Sequence, residues 1–494
     1  MIRINPLRCL ALFLFVGLVP MLSACDGADA SNGVVVPSIS IAEARQRLEK
    51  AVNSDEVEAY LEAGSTLYRP PPSPFEICLK FPDLPHNLWA PGSAKAHCEL
   101  VYGSGLKASR ISTLLAEGNA DELDAMFAAD LERHFVEDGF SEAIHGDFHL
   151  FDGSAQSERL ASEWVAKSPG SAFALAARGN HYLQAARKAR AARPTNRMPA
   201  SDIARMREFT AKAVADFNAA LGIEPRLIEA YNGLAHVGTI GSDGLAEQQG
   251  LAKGLELDRY CAALNLQAMW ALMPRWGGSR GAMQALAEQL EAKMTERPLL
   301  SLSLAMPALN DAQMLVYGDE DKLPPDWKTR VADLLKPYAL TTTNADVFET
   351  LGLACCEKGD NPREEAMYYM AASRYMKSRS CVAANRAVAL VDAGYMDWGI
   401  RELRQIIDEG SDCGRAHYLL GDIYYKTGRF ALAEPEFLSA MEDSVWRDSA
   451  LTYLVQLAVV AKQPAKARGY VEQYRKEFPE DTEQLGKLEG LLGK

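Results

Sequence analysis

Glu142, His145, Asp147, His149 and Asp152 fall close together in the chain, and their side chains are of the kinds that hold a divalent metal or move protons. His145 and His149 are four residues apart and would share one face of a helix. Gly146 between them argues instead for a loop, and no well-known zinc signature has this spacing. The pattern predicts a structural role in a loop, with no metal and no cofactor; His134 upstream reads as a helix-face residue. A second stretch, Gly277-Gly278-Ser279-Arg280-Gly281, matches the pattern of a nucleophile elbow. That serine needs a strand running into a sharp turn. Here an apparent helix, Ala262 to Met273, precedes it and no strand-rich region is evident, so no catalytic residue is assigned. Trp276 beside it is expected to pack in the turn between helices.

What positions these residues is a set of helices. Apolar and small residues recur most regularly from Gly414 to Pro479, at a period of about 34 residues. The first copy holds Leu420-Gly421, Tyr424, Gly428, Ala433, Phe437 and Ala440. The second starts at Asp448 and holds Leu451, Leu454, Ala467, Val471, Tyr474 and a closing Pro479. This resembles the tetratricopeptide repeat, in which small residues let two helices approach and aromatics fill the space beside them. The resemblance implies an all-α fold, a right-handed α-solenoid of helical hairpins. Such repeats make surfaces for partners and do not name the partner.

The start of the chain is an address. Arg3 and Arg8 precede the apolar run Leu10 to Met21, shorter than the roughly 20 residues that span a bilayer. The run ends in Leu22-Ser23-Ala24-Cys25, which resembles the lipobox of bacterial lipoproteins. That resemblance implies cleavage before Cys25, acyl chains on Cys25, and a protein anchored to the bacterial cell membrane facing the periplasm. Asp26 favours the inner membrane, and the outer membrane stays possible. Formal charge is −14, which argues against nucleic acid as a partner.

Five segments follow: a signal peptide over 1–24, a tether of small residues over 25–38, N-terminal helices with a Pro/Cys-rich irregular segment over 39–106, divergent repeat-like helices over 107–343, and clear repeats over 344–494. Between Phe75 and Gly105, prolines, glycines and Trp89 occur without helical period, after the polyproline-like stretch Arg69 to Pro74. Cys78 and Cys98 lie there, and an exported segment lacking its own core gains from a staple, so a disulfide between them is expected. Seven cysteines follow Cys25, an odd number. Cys381 and Cys413 are placed to bridge adjacent repeats, while Cys261, Cys355 and Cys356 fit equally as small buried hydrophobes.

Ser168-Pro169, Ala176-Ala177-Arg178-Gly179, Gly222-Ile223-Glu224-Pro225, Leu272-Met273-Pro274-Arg275-Trp276-Gly277-Gly278 and Leu353-Ala354-Cys355 occur in an order similar to a bacterial domain-of-unknown-function family with tetratricopeptide-like helices. The resemblance covers roughly 107 to 400 and brings no activity with it. It implies that the irregular middle belongs to the same helical array.

In tetratricopeptide arrays the second, fifth, ninth and twelfth positions of the first helix line a concave groove. Here these are Arg415, Tyr418, Asp422 and Tyr425, then Thr452 and Gln456, and earlier Glu229, Asn232 and His236. Tyrosines with an arginine and an aspartate suit recognition of an extended peptide or a partner helix. They suit an ordinary solvated helix face equally well. The expected function is a non-enzymatic scaffold or adaptor binding other envelope proteins. The alternatives are an envelope hydrolase with a metal site around His145 to Asp152, and a structural partner of peptidoglycan or of a secretion machine.

Overall fold

Phe437 and Gly421 hold one hairpin together. Gly421 lies in the helix Cys413–Lys426 and Phe437 in the helix Phe430–Ala440. A Cβ on Gly421 would sit 2.7–2.9 Å from three ring carbons of Phe437, so only glycine lets the ring lie flat against the first helix. Tyr424, Ala433 and Ala440 are buried around it. Between the two helices Gly428 takes φ +72, and the N–H groups of Gly428 and Arg429 bond back to Tyr425 and Tyr424, closing the first helix. The next hairpin, Arg447–Val460 with Pro464–Glu477, buries Leu451, Leu454, Ala467, Val471 and Tyr474. Its turn uses Lys462 at φ 55 where the first uses glycine.

The computed structural model describes residues 39–67, 73–136, 141–190, 198–240, 244–316, 324–355, 361–376, 380–410 and 413–492, and among them there are helices and turns but no strand. The fold is an all-α array of helical hairpins. The expected signal peptide, Cys25, the expected tether to residue 38 and Cys356 lie outside the described residues, as do the side chains of Cys355, Cys381 and Cys413. Two compact units are present. Among the described residues, one is formed by 39–51 and those from Thr66 to Thr350, the other by Val52–Ser65 and those from Leu351 to 492. The second unit contains the clear hairpins, and within it Glu58 pairs with Arg363 at 3.4 Å.

In the first unit the hairpin Ala172–Arg190 with Ala200–Ile223 is followed by Ile228–Thr239 with Gly244–Leu257. Phe217 is their common centre. A Cβ on Gly179 would meet its ring at 2.8 Å and one on Gly233 at 2.3 Å, so the ring is held between helices of both hairpins. A stretch apolar and long enough to cross a membrane, Pro298–Val316, has Leu299, Leu300, Leu302, Leu309 and Ala312 buried inside this unit.

One sequence expectation is corrected here. The stretch from Phe75 to Gly105 is not irregular throughout: it contains the helices Pro74–Lys80 and Ser93–Tyr102. The first starts from a capping box. Ser73 Oγ accepts the Glu76 N–H, the Glu76 carboxylate accepts the Ser73 N–H, and Pro74 fills the first position. Cys78 and Cys98 on these two short helices form a disulfide with Cα atoms 5.7 Å apart. Closing a loop of 20 residues contributes about 3 kcal/mol in the chain-entropy picture, useful where each helix alone buries little. Ser279 has a plain structural role. Pro274–Trp276 forms a single 3-10 turn, and Ser279 Oγ then accepts the Ala282 N–H at 3.1 Å as the cap of the helix Arg280–Glu291.

Candidate functional site

Three helix starts bring chemical side chains into one buried cluster. His145 lies in the helix Ala143–Phe148, and Glu142 immediately precedes it. The Glu142 carboxylate caps another helix, accepting the N–H groups of Ala262 at 2.6 Å and Ala263 at 3.0 Å, where the helix dipole favours its charge. Cys261, just before that helix, donates its thiol to Glu142 Oε2 at 3.7 Å and lies 3.5 Å from His145 Nε2. On the far side of the ring His145 Nδ1 meets Glu229 Oε2 at 2.5 Å. Asn180 and Asn232 donate to the same carboxylate at 3.2 and 2.9 Å.

The electrostatics follow from burial and neighbours. Burial disfavours a charged His145, but the hydrogen bond and charge of Glu229, with Glu142, outweigh it and raise the imidazole pKa. Burial, then the carboxylates of Glu142 and Asp258, push the Cys261 thiol well above its usual range. Cys261, His145 and Glu229 therefore have the types of a nucleophile, a base and an orienting acid without their function: the sulfur stays a thiol, and none of the three is more than 2 % exposed. Next to them His134 Nε2 donates to Asp258 Oδ2 at 3.1 Å, and Arg297 forks onto the same carboxylate at 3.0 and 3.3 Å. Against burial, His134 and Arg297 hold Asp258 below the usual carboxylate range. Two sets of donor atoms, Glu142 with His145 and Cys261, and His134 with Asp258 and Cys261, each lie within 4.8 Å of one another and could hold a metal.

His145 thus parts company with its sequence neighbours. Asp147 turns to Ser104, accepting its N–H at 2.8 Å and its hydroxyl at 2.9 Å. Burial, with the Asp130 carboxylate beside it, pushes the Asp147 carboxyl up to about 8. His149 Nδ1 is 3.0 Å from the Val101 carbonyl, and Asp152 accepts the Ser154 N–H at 2.9 Å. The expected loop is a helix, and the reason is Gly146 itself. A Cβ there would lie 2.1 Å from the Gly103 nitrogen and 2.4 Å from the Glu99 carbonyl. The glycine marks a backbone crossing with the helix Ser93–Tyr102, not a break.

The predicted groove residues divide between the two units. In the first, Glu229 and Asn232 are 2 % and 4 % exposed, so their assignment to an open groove is corrected. The helix Ala143–Phe148 packs against the helices Ala172–Arg190 and Ile228–Thr239 and takes up their polar side chains. His236 is half-buried, and Arg187 donates to its Nδ1; burial, then Arg187, keep the ring neutral. In the second unit the residues stay partly accessible. Tyr418 stacks on Trp446 with ring centroids 4.9 Å apart, Asp422 accepts the Tyr453 hydroxyl at 2.8 Å and pairs with Lys426, and Tyr425 stands edge-on to Tyr453. Arg415 bonds Asn385 of the preceding repeat, Thr452 accepts from Gln484, and Gln456 is half-buried. Tyr418, Thr452 and Tyr453 line an open cavity of about 410 Å³ together with Asp448, Asp481, Glu483 and Lys487.

No family model matches the chain. No curated protein matches it. Two solved structures to which it is similar are the P58(IPK) TPR domain, at 17% identity over 64% of this chain and 87% of that chain with a TM-score of 0.24, and the human IFIT1 dimer with m7Gppp-AAAA, at 13% identity over 81% and 93% with a TM-score of 0.33.

Sequence reasoning missed the cluster's third donor. Cys261 read as one small hydrophobe among several, because nothing local ties it to a histidine 116 residues away. One signal was present: Asp258 and Cys261 precede a helix whose first turn lacks an acidic residue, so its N–H groups needed a carboxylate from elsewhere.

Proposed function

We propose that this chain is a membrane-anchored scaffold of the bacterial cell envelope, tethered through acylated Cys25, that holds a basic segment of a partner protein against its C-terminal repeats. One observation carries the reading. The cavity beside Tyr418 and Tyr453 is lined by three carboxylates, Asp448, Asp481 and Glu483, against one ammonium, Lys487. Glu483 is paired with Lys487, and Asp481 with the Tyr474 hydroxyl. Asp448 is bonded by the Ser449 hydroxyl and has no ion pair among the described residues, which leaves its carboxylate open to a cation from outside. Tyrosine faces next to a carboxylate suit a lysine or arginine side chain, which gains both ring and charge contacts.

A photo-crosslinking residue placed at Thr452 in the native lipid-anchored protein is expected to capture one or a few envelope proteins. The same residue at Leu432, exposed in the other helix of the preceding hairpin, is expected not to capture them. Asp448→Lys is expected to abolish capture at Thr452 and to lower stability by no more than about 1 kcal/mol, the size of a first-turn charge reversed against the helix dipole, since no buried contact is lost. Identical neighbours from both positions would remove this face as the site. The anchor has its own test: a clickable fatty acid fed to the cells labels the wild-type protein and leaves Cys25→Ala unlabelled, whereas equal labelling would refute acylation there.

A further inference from the structure

We propose that Glu142, His145 and Cys261 form a closed structural site for a zinc-class divalent cation. The three donor atoms make a nearly regular triangle. Cys261 Sγ is 3.5 Å from His145 Nε2 and 3.7 Å from Glu142 Oε2, and Nε2 is 3.8 Å from that oxygen. A tetrahedral zinc ion about 2.3 Å from sulfur and about 2.0–2.2 Å from nitrogen and oxygen spaces its ligands by roughly 3.3–3.6 Å. A contraction of a few tenths of an ångström brings all three into range.

The surroundings are those of a metal-bound histidine. His145 Nδ1 is engaged by Glu229, which is itself positioned by Asn180 and Asn232. A carboxylate behind the ring fixes the tautomer and turns the lone pair of Nε2 toward the metal position. On coordination the Cys261 S–H bond breaks, its proton leaves to solvent and a sulfur–metal bond forms; Nε2 binds through the lone pair of the neutral ring. His134 and Asp258 form a second donor set that shares only Cys261 with the triangle, so a fourth ligand from that pair has to move toward Glu142 and His145 when the ion binds. His134 Nδ1 is a buried ring nitrogen without a hydrogen-bond partner, and its ring stands 5.7 Å from that of His145. With every donor buried there is no room for a substrate, so the ion serves to tie the helix Ala143–Phe148 to the hairpins behind it.

The test uses the full mature chain, purified in detergent without chelator and titrated with zinc and with cobalt(II). The expected result is about one equivalent of tightly held metal per chain, a thiolate-to-cobalt charge-transfer band, and a melting temperature lowered by chelator and restored by zinc. Cys261→Ser is expected to lose the band. His149→Ala, outside the triangle, is expected to keep it. Should Cys261→Ser not fold, Glu142→Gln of equal size is expected to retain the band with affinity reduced tenfold or more. A folded wild-type chain that binds neither ion at micromolar concentration would overturn the proposal in favour of a hydrogen-bonded core without an ion. A cobalt band that survives Cys261→Ser would overturn it too, placing the metal on other cysteines.

Discussion

Truncating Phe217 to alanine destabilises the first unit by about 3–5 kcal/mol, the range for losing a fully buried aromatic. The upper part of that range is expected because the space cannot collapse. The ring lies flat between Gly179 and Gly233, and what faces it on both sides is helix backbone, which closes inward only if whole helices move. A neighbouring side chain cannot swing in, since the glycines have none. The denaturant midpoint should fall while the slope of the transition stays constant, the sign of lost stability without a change in the surface exposed. Phe217→Leu, which retains part of the volume, should lose less than half as much. A loss below about 1 kcal/mol for the alanine variant would mean that the ring is not the shared contact of these two hairpins.

Glu229→Ala costs a comparable amount, about 3–5 kcal/mol, by a different route. Glu229 is buried and accepts three hydrogen bonds, from His145, Asn180 and Asn232. Removing the carboxylate leaves an imidazole whose charged form it stabilised, and two buried amides short of an acceptor. Glu229→Gln keeps the shape and one acceptor oxygen, so it should fall between the wild type and alanine. Crosslinking from Thr452 should persist in either variant under conditions where the chain remains folded. If Glu229→Ala melted like the wild type but lost its partner, the residue would be a recognition group and not a core one.

The two residues also show where the sequence was legible. Gly421, Tyr424, Ala433 and Phe437 could be placed from spacing alone, because a hairpin's internal packing is local: small residue, aromatic, turn glycine, all within one repeat. Glu229 and Asn232 obeyed the same register and were still misplaced. The register says which way a side chain faces, and for these residues it faces the helix Ala143–Phe148, supplied by a stretch more than eighty residues earlier in the chain. No periodicity announces that visitor, since it is six residues long and contains a glycine. The helices Pro74–Lys80 and Ser93–Tyr102 escaped for a similar reason, being too short for an apolar stripe, although Ser73-Pro74 with Glu76 was a readable start signal. The metal triangle was least legible, because its sides join parts of the chain that only the completed fold makes neighbours.

Phe217 has a further implication for ancestry. Arrays of helical repeats ordinarily grow and shrink by whole units, since each unit owes its integrity to itself and to generic contacts with the next. A ring that belongs to one hairpin and is seated against the backbone of another removes that freedom. Duplicating or deleting a unit at this junction would leave either a phenylalanine without its far wall or a glycine facing an empty groove. These two hairpins are thereby bound to be kept or lost together.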